Sequence, residues 1–197
     1  MALPTKHPGL LIVLCGPSGV GKSTISHQIE NNFNVTYIVS ATTRPHRAGE
    51  EKQGKKYDHI SRDEFFRRLD AGEFLEYAQV YNDYYGTPKH PALDLLAAGK
   101  DILLEIDVQG ALQVRFQYPE ALTIFILPPD EPTLLSRLNS RARDTAEDIT
   151  RRFRAAKREI HMAKGSRAFD HMVINDDLAR AVTEIERIIA NKKTGAL

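Results

Sequence analysis

A disulfide is out of reach for this chain: Cys15 is its only cysteine, which suits a reducing compartment. Net charge is nearly missing too. Twenty-seven basic residues stand against twenty-six acidic ones, a formal charge of +1. No global field therefore exists to hold DNA, RNA or an anionic membrane, and any anion site has to be local. Long hydrophobic runs are also lacking. The apolar stretch at 10–15 stops at Gly16-Pro17, far short of the roughly 20 residues that cross a bilayer. The first residues offer neither a charged leader before a long apolar region nor a small-residue cleavage site, so a soluble, cytoplasmic protein is expected. Repeats and low-complexity tracts are absent. A length of 197 residues suggests one domain with a sizeable core and at most small inserted lobes.

What is present begins at that apolar stretch. Leu10-Leu11-Ile12-Val13-Leu14-Cys15 reads as a buried strand, with Cys15 as a small buried hydrophobe, and it runs into Gly16-Pro17-Ser18-Gly19-Val20-Gly21-Lys22-Ser23-Thr24. The spacing G-x-x-x-x-G-K-S lets successive backbone N–H groups converge on the β- and γ-phosphates of a nucleoside triphosphate at the positive end of the following helix. Lys22 adds a point charge and Ser23 a hydroxyl for Mg2+. The fixed positions recur by accident in roughly one chain in a hundred of this length, and the strand in front lowers that further.

Strand-like runs recur at 10–15, 36–39, 74–80, 101–106, 122–127 and 171–174. Helical patterns fall at about 22–32, 62–70, 90–98, 109–117, 131–141, 146–163 and 177–191. This alternation predicts an α/β fold around a mainly parallel sheet flanked by helices. Ser61 with Glu64, and Thr145 with Asp148, have capping-box spacing. Two segments rich in basic and flexible residues, 41–57 and 139–152, interrupt the alternation and are candidates for mobile lobes over the carboxyl ends of the strands.

Arg44 and Arg47 stand three apart in a stretch bounded by Pro45 and Gly49. Two forked guanidinium groups on a short turn suit a terminal phosphate, since each donates paired hydrogen bonds. Tyr57 and Tyr85 offer neutral phenolic donors to the same group. Further along, Glu105 and Asp107 end an apolar strand, where a carboxylate orients Mg2+ directly or through water. Either residue fits that role.

Taken together, several stretches resemble guanylate kinase over about residues 10–190. They are the phosphate loop, Thr42-Thr43-Arg44-Pro45-His46-Arg47-Ala48-Gly49-Glu50, Phe74-Leu75-Glu76-Tyr77-Ala78, Tyr84-Tyr85-Gly86-Thr87, Leu104-Glu105-Ile106-Asp107-Val108-Gln109-Gly110 and Val173-Ile174-Asn175-Asp176-Asp177-Leu178. The resemblance implies transfer of a phosphoryl group from ATP to GMP with Mg2+, giving ADP and GDP. It also implies a P-loop kinase core at about 1–39, 94–138 and 165–197, a small GMP-binding lobe at about 40–93 and a helical lid at about 139–164.

By matched position, Arg44, Arg47, Tyr57 and Tyr85 hold the GMP phosphate, while Ser40, Glu76, Thr87 and Asp107 face guanine and Glu50 fills an acidic position of the lobe. The chemistry agrees. Guanine offers N1–H and its N2 amine to a carboxylate and asks for a donor at O6, such as the Thr87 hydroxyl; adenine has the opposite polarity there. Such a pocket leaves polar groups unpaired with the wrong base, a penalty of roughly 10⁴-fold. On the ATP side the resemblance assigns residues 16–24, Arg137, Asn175 and Asp176. It also brings Arg141 and Arg152 onto the triphosphate, beside Lys22 and Arg47, as the charges that serve phosphoryl transfer; one arginine of this kind is worth roughly 10³-fold or more. Closure of the lobes around both nucleotides would keep water from the γ-phosphate.

Three departures from the pattern stand out. One extra residue lies between Glu50 and Tyr57, so Glu50 or Glu51 fills the acidic position; His59 replaces an apolar aromatic; and Ala142-Arg143 replace Gly-Thr. None removes a proposed catalytic group. Guanylate-kinase-like domains that bind protein partners instead of catalysing are expected to lack a complete phosphate loop, which this chain has. A kinase for another acceptor would lack Glu76 with Thr87. The partners implied are ATP and GMP, with no nucleic acid and no membrane; monomer and homo-oligomer stay equally open.

Overall fold

The computed structural model describes residues 8–46, 57–140 and 145–195. Five parallel strands form its central sheet in the order β2-β7-β1-β8-β9. They are β1 (Leu11–Cys15), β2 (Val35–Tyr37), β7 (Asp101–Glu105), β8 (Leu122–Leu127) and β9 (His171–Ile174). All five residues of β1 are buried because it is the middle strand, covered on both faces. Leu11, Val13 and Cys15 join a core shared with α3 (Lys89–Ala97) and α4 (Val108–Gln117). Ile12 and Leu14 pack instead with α1 (Lys22–Asn32) and α7 (Leu178–Thr194). A strand sandwiched this way reads as a continuous apolar run rather than an alternating one.

A second sheet has the order β4-β3-β6-β5. It comprises β3 (Ser40–Thr42), β4 (Tyr57–His59), β5 (Phe74–Val80) and β6 (Asp83–Pro88), with α2 (Arg62–Asp70) between β4 and β5. The strand expected at 36–39 is β2, which ends at Tyr37. After β2 the chain makes one more bond to the first sheet, Ile38 N–H to the Leu103 carbonyl at 3.0 Å, then enters the second as β3. Strands β3, β4 and β6 were not signalled by periodicity.

Strand β5 is an edge whose outward backbone groups need partners. Three glutamines of α4 supply them. Gln109 donates to the Gln79 carbonyl at 3.2 Å, Gln113 to the Tyr77 carbonyl at 2.6 Å and Gln117 to the Leu75 carbonyl at 3.3 Å. Residues four apart on a helix advance about 6 Å and alternate strand residues about 6.7 Å, so the two repeats match. This ladder ties the second sheet to the helix that follows β7.

The remaining helices are α5 (Glu131–Asn139) and α6 (Ala146–Ser166). Thr145 and Asp148 form a complete capping box on α6. At α2 only half of the expected box forms: Ser61 accepts from Glu64 N–H at 3.1 Å, while the Glu64 carboxylate turns to Arg67 and Arg68 at 2.8 and 2.7 Å. Two guanidiniums on the same helix face outcompete one backbone donor. No helix among the described residues is long and apolar enough to cross a membrane.

Candidate functional site

The carboxyl ends of the parallel strands meet at one rim, the place where open α/β sheets bind ligands. At the end of β1 the chain turns through Gly16, Gly19 and Gly21, all at positive φ, into α1. Gly21 is the residue before α1, at φ 95°; a Cβ there would lie 2.6 Å from Asn175 Nδ2. Conformation and space both demand glycine. Lys22 lies back across the loop, donating to the carbonyls of Gly16 and of Pro17. Asn175, buried at the end of β9, donates from Nδ2 to the Val20 carbonyl at 2.8 Å. Its side-chain nitrogen therefore buttresses the loop. Asp176 pairs with Arg180 and accepts from Asp177 N–H at 2.7 Å, a turn at the start of α7.

The two carboxylates after β7 separate clearly. Glu105 accepts from Ser23 Oγ at 2.7 Å and from Ser26 Oγ at 3.0 Å. Asp107 caps α4, accepting from Gly110 N–H at 2.9 Å, and takes a bond from Gln109 at 3.2 Å. Burial raises its carboxyl above the usual range, against hydrogen bonds that lower it.

Glu76 is 4% exposed in spite of its place between Leu75 and Tyr77. A register shift between Phe74 and Glu76 breaks the alternation, so Phe74, Leu75 and Glu76 are all buried while Tyr77 is exposed. The Glu76 carboxylate accepts from the Thr87 hydroxyl at 2.6 Å and Thr87 N–H at 3.2 Å. Burial pushes its pKa up to about 7, with the neighbouring Asp107 charge adding to the rise and the Thr87 bonds opposing it. The Thr87 hydroxyl thus gives its hydrogen to Glu76, the stronger acceptor.

One neighbour of this carboxylate escaped sequence reading. A Cβ on Gly110 would lie 2.1 Å from Glu76 Oε2, so a glycine in the first turn of α4 makes the room Glu76 occupies. On the guanine-facing role that the resemblance gives Glu76, Gly110→Ala is expected to raise the KM for GMP by about 10-fold or more with the ATP KM unchanged, since it displaces that carboxylate without touching the loop. Steady-state titrations of each nucleotide check it.

The phosphate-directed set is partly assembled. Arg44 is buried, with its guanidinium carbon 5.5 Å from the Tyr57 ring centre and Nη1 donating to the Pro45 carbonyl at 2.9 Å. Tyr57 and Tyr85 meet edge to face at 5.6 Å. His59 stacks on His46 at 3.7 Å, and its Nδ1 lies 2.6 Å from the Arg44 carbonyl, so the residue that departs from the pattern braces the arginine turn. Ser40 is buried on β3, next in line with Thr87 in the register that pairs Ala41 with Gly86. Arg47, Glu50, Glu51, Arg141, Ala142 and Arg143 lie outside the described residues.

On the donor side, Arg137 in the last turn of α5 keeps Nη1 buried with no hydrogen-bond partner among the described residues. An anion would satisfy it. Arg152 lies on α6 beside Tyr81. Two turns further along the same helix is Glu159, which sequence reading also missed; burial pushes its pKa up to about 7, while the Lys22 charge opposes the rise and Asp107 adds to it. Its charged run, Lys157-Arg158-Glu159, resembles any solvated helix face. Glu76 and Asp107 both face the first turn of α4 at Gly110.

A strand, a glycine loop closing on a lysine and a carboxylate holding the loop's serine, at the switch point of a parallel sheet, define a P-loop phosphotransferase. The shikimate kinase of Bacteroides thetaiotaomicron shares this fold, with a TM-score of 0.53 at 15% identity over 92% of this chain and 98% of that one. Within that class the chain belongs to the guanylate kinase family, whose model matches residues 9–192. Guanylate kinase of Clostridium tetani is 45% identical over 94% of this chain and 87% of its own length, and that of Symbiobacterium thermophilum 44% over 97% and 89%. The solved guanylate kinase of Anaplasma phagocytophilum superposes with a TM-score of 0.78 at 32% identity, covering 95% of this chain and 87% of that one. The activity is ATP:GMP phosphotransfer.

Proposed function

We propose that the cleft works as two anion cradles side by side, with residues 16–24 around Lys22 taking the triphosphate and the Arg44 turn taking the GMP phosphate. The observation that carries this is the buried Glu76 carboxylate, which together with Asp107 faces the first turn of α4 at Gly110. Glu76 accepts the N1–H and N2 amine of guanine, with Thr87 and Gly110 fixing it in place and Ser40 supplying a donor beside them. Arg44, Arg47, Tyr57 and Tyr85 hold the acceptor phosphate, with Glu50 on the same loop. Arg137 receives phosphate oxygens of ATP, Asp176 borders that side, and Asn175 serves it by holding the loop.

The second sheet falls wholly within 40–88, which supports a GMP-binding lobe at about 40–93 set against a core at about 1–39, 94–138 and 165–197. The lid is assigned to about 139–164. The reaction is placed in the cytoplasm, in keeping with a lone buried thiol.

The donor set fits magnesium. Hard oxygens from Ser23 and Glu105 stand 2.7 Å apart. No group of three or more His, Cys, Asp or Glu among the described residues is arranged to cage a metal; phosphates and water would complete the shell. Magnesium, when bound, neutralises charge on the β- and γ-phosphates. Glu105 orients it through Ser23 or water, and Asp107, engaged in capping α4, belongs to the guanine side.

Transfer then requires alignment rather than covalent help. Lys22, Arg47, Arg141 and Arg152 offset the charge spread over the moving phosphoryl, while the lobes exclude water.

The separation of the two carboxylates is testable. Glu105→Gln should raise the Mg2+ concentration for half-maximal turnover by about 10-fold or more, with the GMP KM unchanged. Asp107→Asn should do the reverse. A Mg2+ shift in Asp107→Asn alone would overturn the assignment.

A further inference from the structure

Two carboxylates crowd one glycine. The place that a Cβ on Gly110 would take is 2.1 Å from Glu76 Oε2 and 3.4 Å from Asp107 Oδ1. Acceptors so near each other serve one ligand edge only if each keeps its orientation, and the two are held by different means. Glu76 takes both Thr87 bonds on Oε1, from the hydroxyl at 2.6 Å and from N–H at 3.2 Å. Asp107 caps α4, with Oδ1 accepting from Gly110 N–H at 2.9 Å. That bond alone does not settle the plane of the carboxylate, because the last torsion of an aspartate is broad and roughly twofold. The plane is set once Oδ2 has a partner as well.

Gln109 is that partner. Its Nε2 donates to Asp107 Oδ2 and to the Gln79 carbonyl, each at 3.2 Å. A side-chain amide carries two N–H donors, so one serves the carboxylate and the other the strand that bears Glu76 three residues earlier. Gln113, one turn further along α4, holds the same strand more closely. It donates to the Tyr77 carbonyl at 2.6 Å and accepts from Tyr77 N–H at 3.3 Å. The amide donors of Gln113 and Gln117 go to backbone carbonyls, whereas Gln109 adds a bond to a carboxylate. Its own side chain is exposed, so a substitution there leaves the core intact.

We propose that Gln109 is a positioning residue for acceptor recognition: it fixes the plane of the Asp107 carboxylate and ties it to the strand carrying Glu76. The two carboxylates then meet guanine in a single arrangement. A group already held in its binding orientation loses less freedom when the ligand arrives, so the gain is in affinity. The inference rests on the placement of Asp107 on the guanine side, and the experiment keeps the two apart.

Gln109→Met keeps the length of the side chain and its helix propensity and removes both donors. It should raise the KM for GMP by about 5–10-fold and leave kcat and the KM for ATP within about twofold. Gln113→Met removes the closer tie between α4 and β5 without touching Asp107, and should leave all three within about twofold. Both variants should melt within about 2 °C of the parent. In an Asp107→Asn background, Gln109→Met should have no further effect on the KM for GMP. If Asp107→Asn itself leaves that KM unchanged, the placement of Asp107 falls and the positioning role with it. If Asp107→Asn raises it yet Gln109→Met does not, the positioning role alone falls. An equal rise from Gln113→Met, or a full further rise from Gln109→Met without the Asp107 carboxylate, also overturns it, since the glutamine would then act only as a tie between helix and strand.

Discussion

Replacing Lys22 by methionine is expected to lower turnover by about 10²–10³-fold while GMP binding and the fold are kept. The ammonium bonds to the Gly16 and Pro17 carbonyls, which places the charge across the mouth of the loop that takes the triphosphate. A compact ammonium with rotatable donors passes from those carbonyls to phosphate oxygens without a change in the loop. Methionine keeps most of the stem's volume and removes the charge, so the loss reports electrostatics rather than packing. Lysine-to-arginine would not rescue it, because a forked guanidinium is larger and cannot enter the same space. Steady-state kinetics with a melting curve and calorimetric titration of GMP check this. Turnover within threefold of the parent would remove Lys22 from the mechanism.

The second large effect is expected at Glu76. Substitution by glutamine should raise the KM for GMP by about 10²–10³-fold and leave that for ATP unchanged, because one acceptor becomes a donor facing donors in a buried site. The parent enzyme should also show a pH signature. With its pKa pushed up to about 7, the empty pocket is largely protonated below neutrality. Guanine's donors require the carboxylate, so the KM for GMP should climb as pH falls below about 7, by close to tenfold per unit at the acid end.

Stability carries the opposite sign. A carboxyl whose pKa in the fold lies above its ordinary 4.5 favours folding while protonated, and that contribution is lost as pH rises from about 4.5 through about 7. The amount is on the order of 3 kcal/mol. Glu76→Gln should therefore abolish both trends at once, flattening the pH profile of the GMP KM and the fall in melting temperature over that window. A parent KM that is flat between pH 5.5 and 8 would exclude a buried titrating carboxylate from base recognition.

Much of the donor half was legible in the residues alone. Apolar runs mark strands, so 122–127 and 171–174 match β8 and β9 to the residue, as 74–80 does β5 of the second sheet, and the loop between β1 and α1 follows from its glycine spacing. The acceptor half was legible mainly as residue types. Strands β3 and β4 have three residues each, and β6 contains Gly86 and Pro88; their pairing comes from tertiary context rather than local pattern.

Three other features leave no local signal. Burial of Glu76 depends on a register shift that inverts the facing of β5. The need for glycine at 110 arises from a carboxylate 34 positions earlier in the chain. Which of Glu105 and Asp107 meets Ser23, open from spacing, is set by how β7 packs against α1.

The bond from Asn175 to the Val20 carbonyl spans 155 positions of sequence, and it has a consequence for how the enzyme comes into being. The loop leaves the ribosome early, yet the side chain that steadies it arrives with the last edge strand. A nascent or truncated chain ending before β9 holds an unsupported loop facing whatever triphosphate is at hand. One support of the loop is therefore added only when the far end of the polypeptide closes over its beginning.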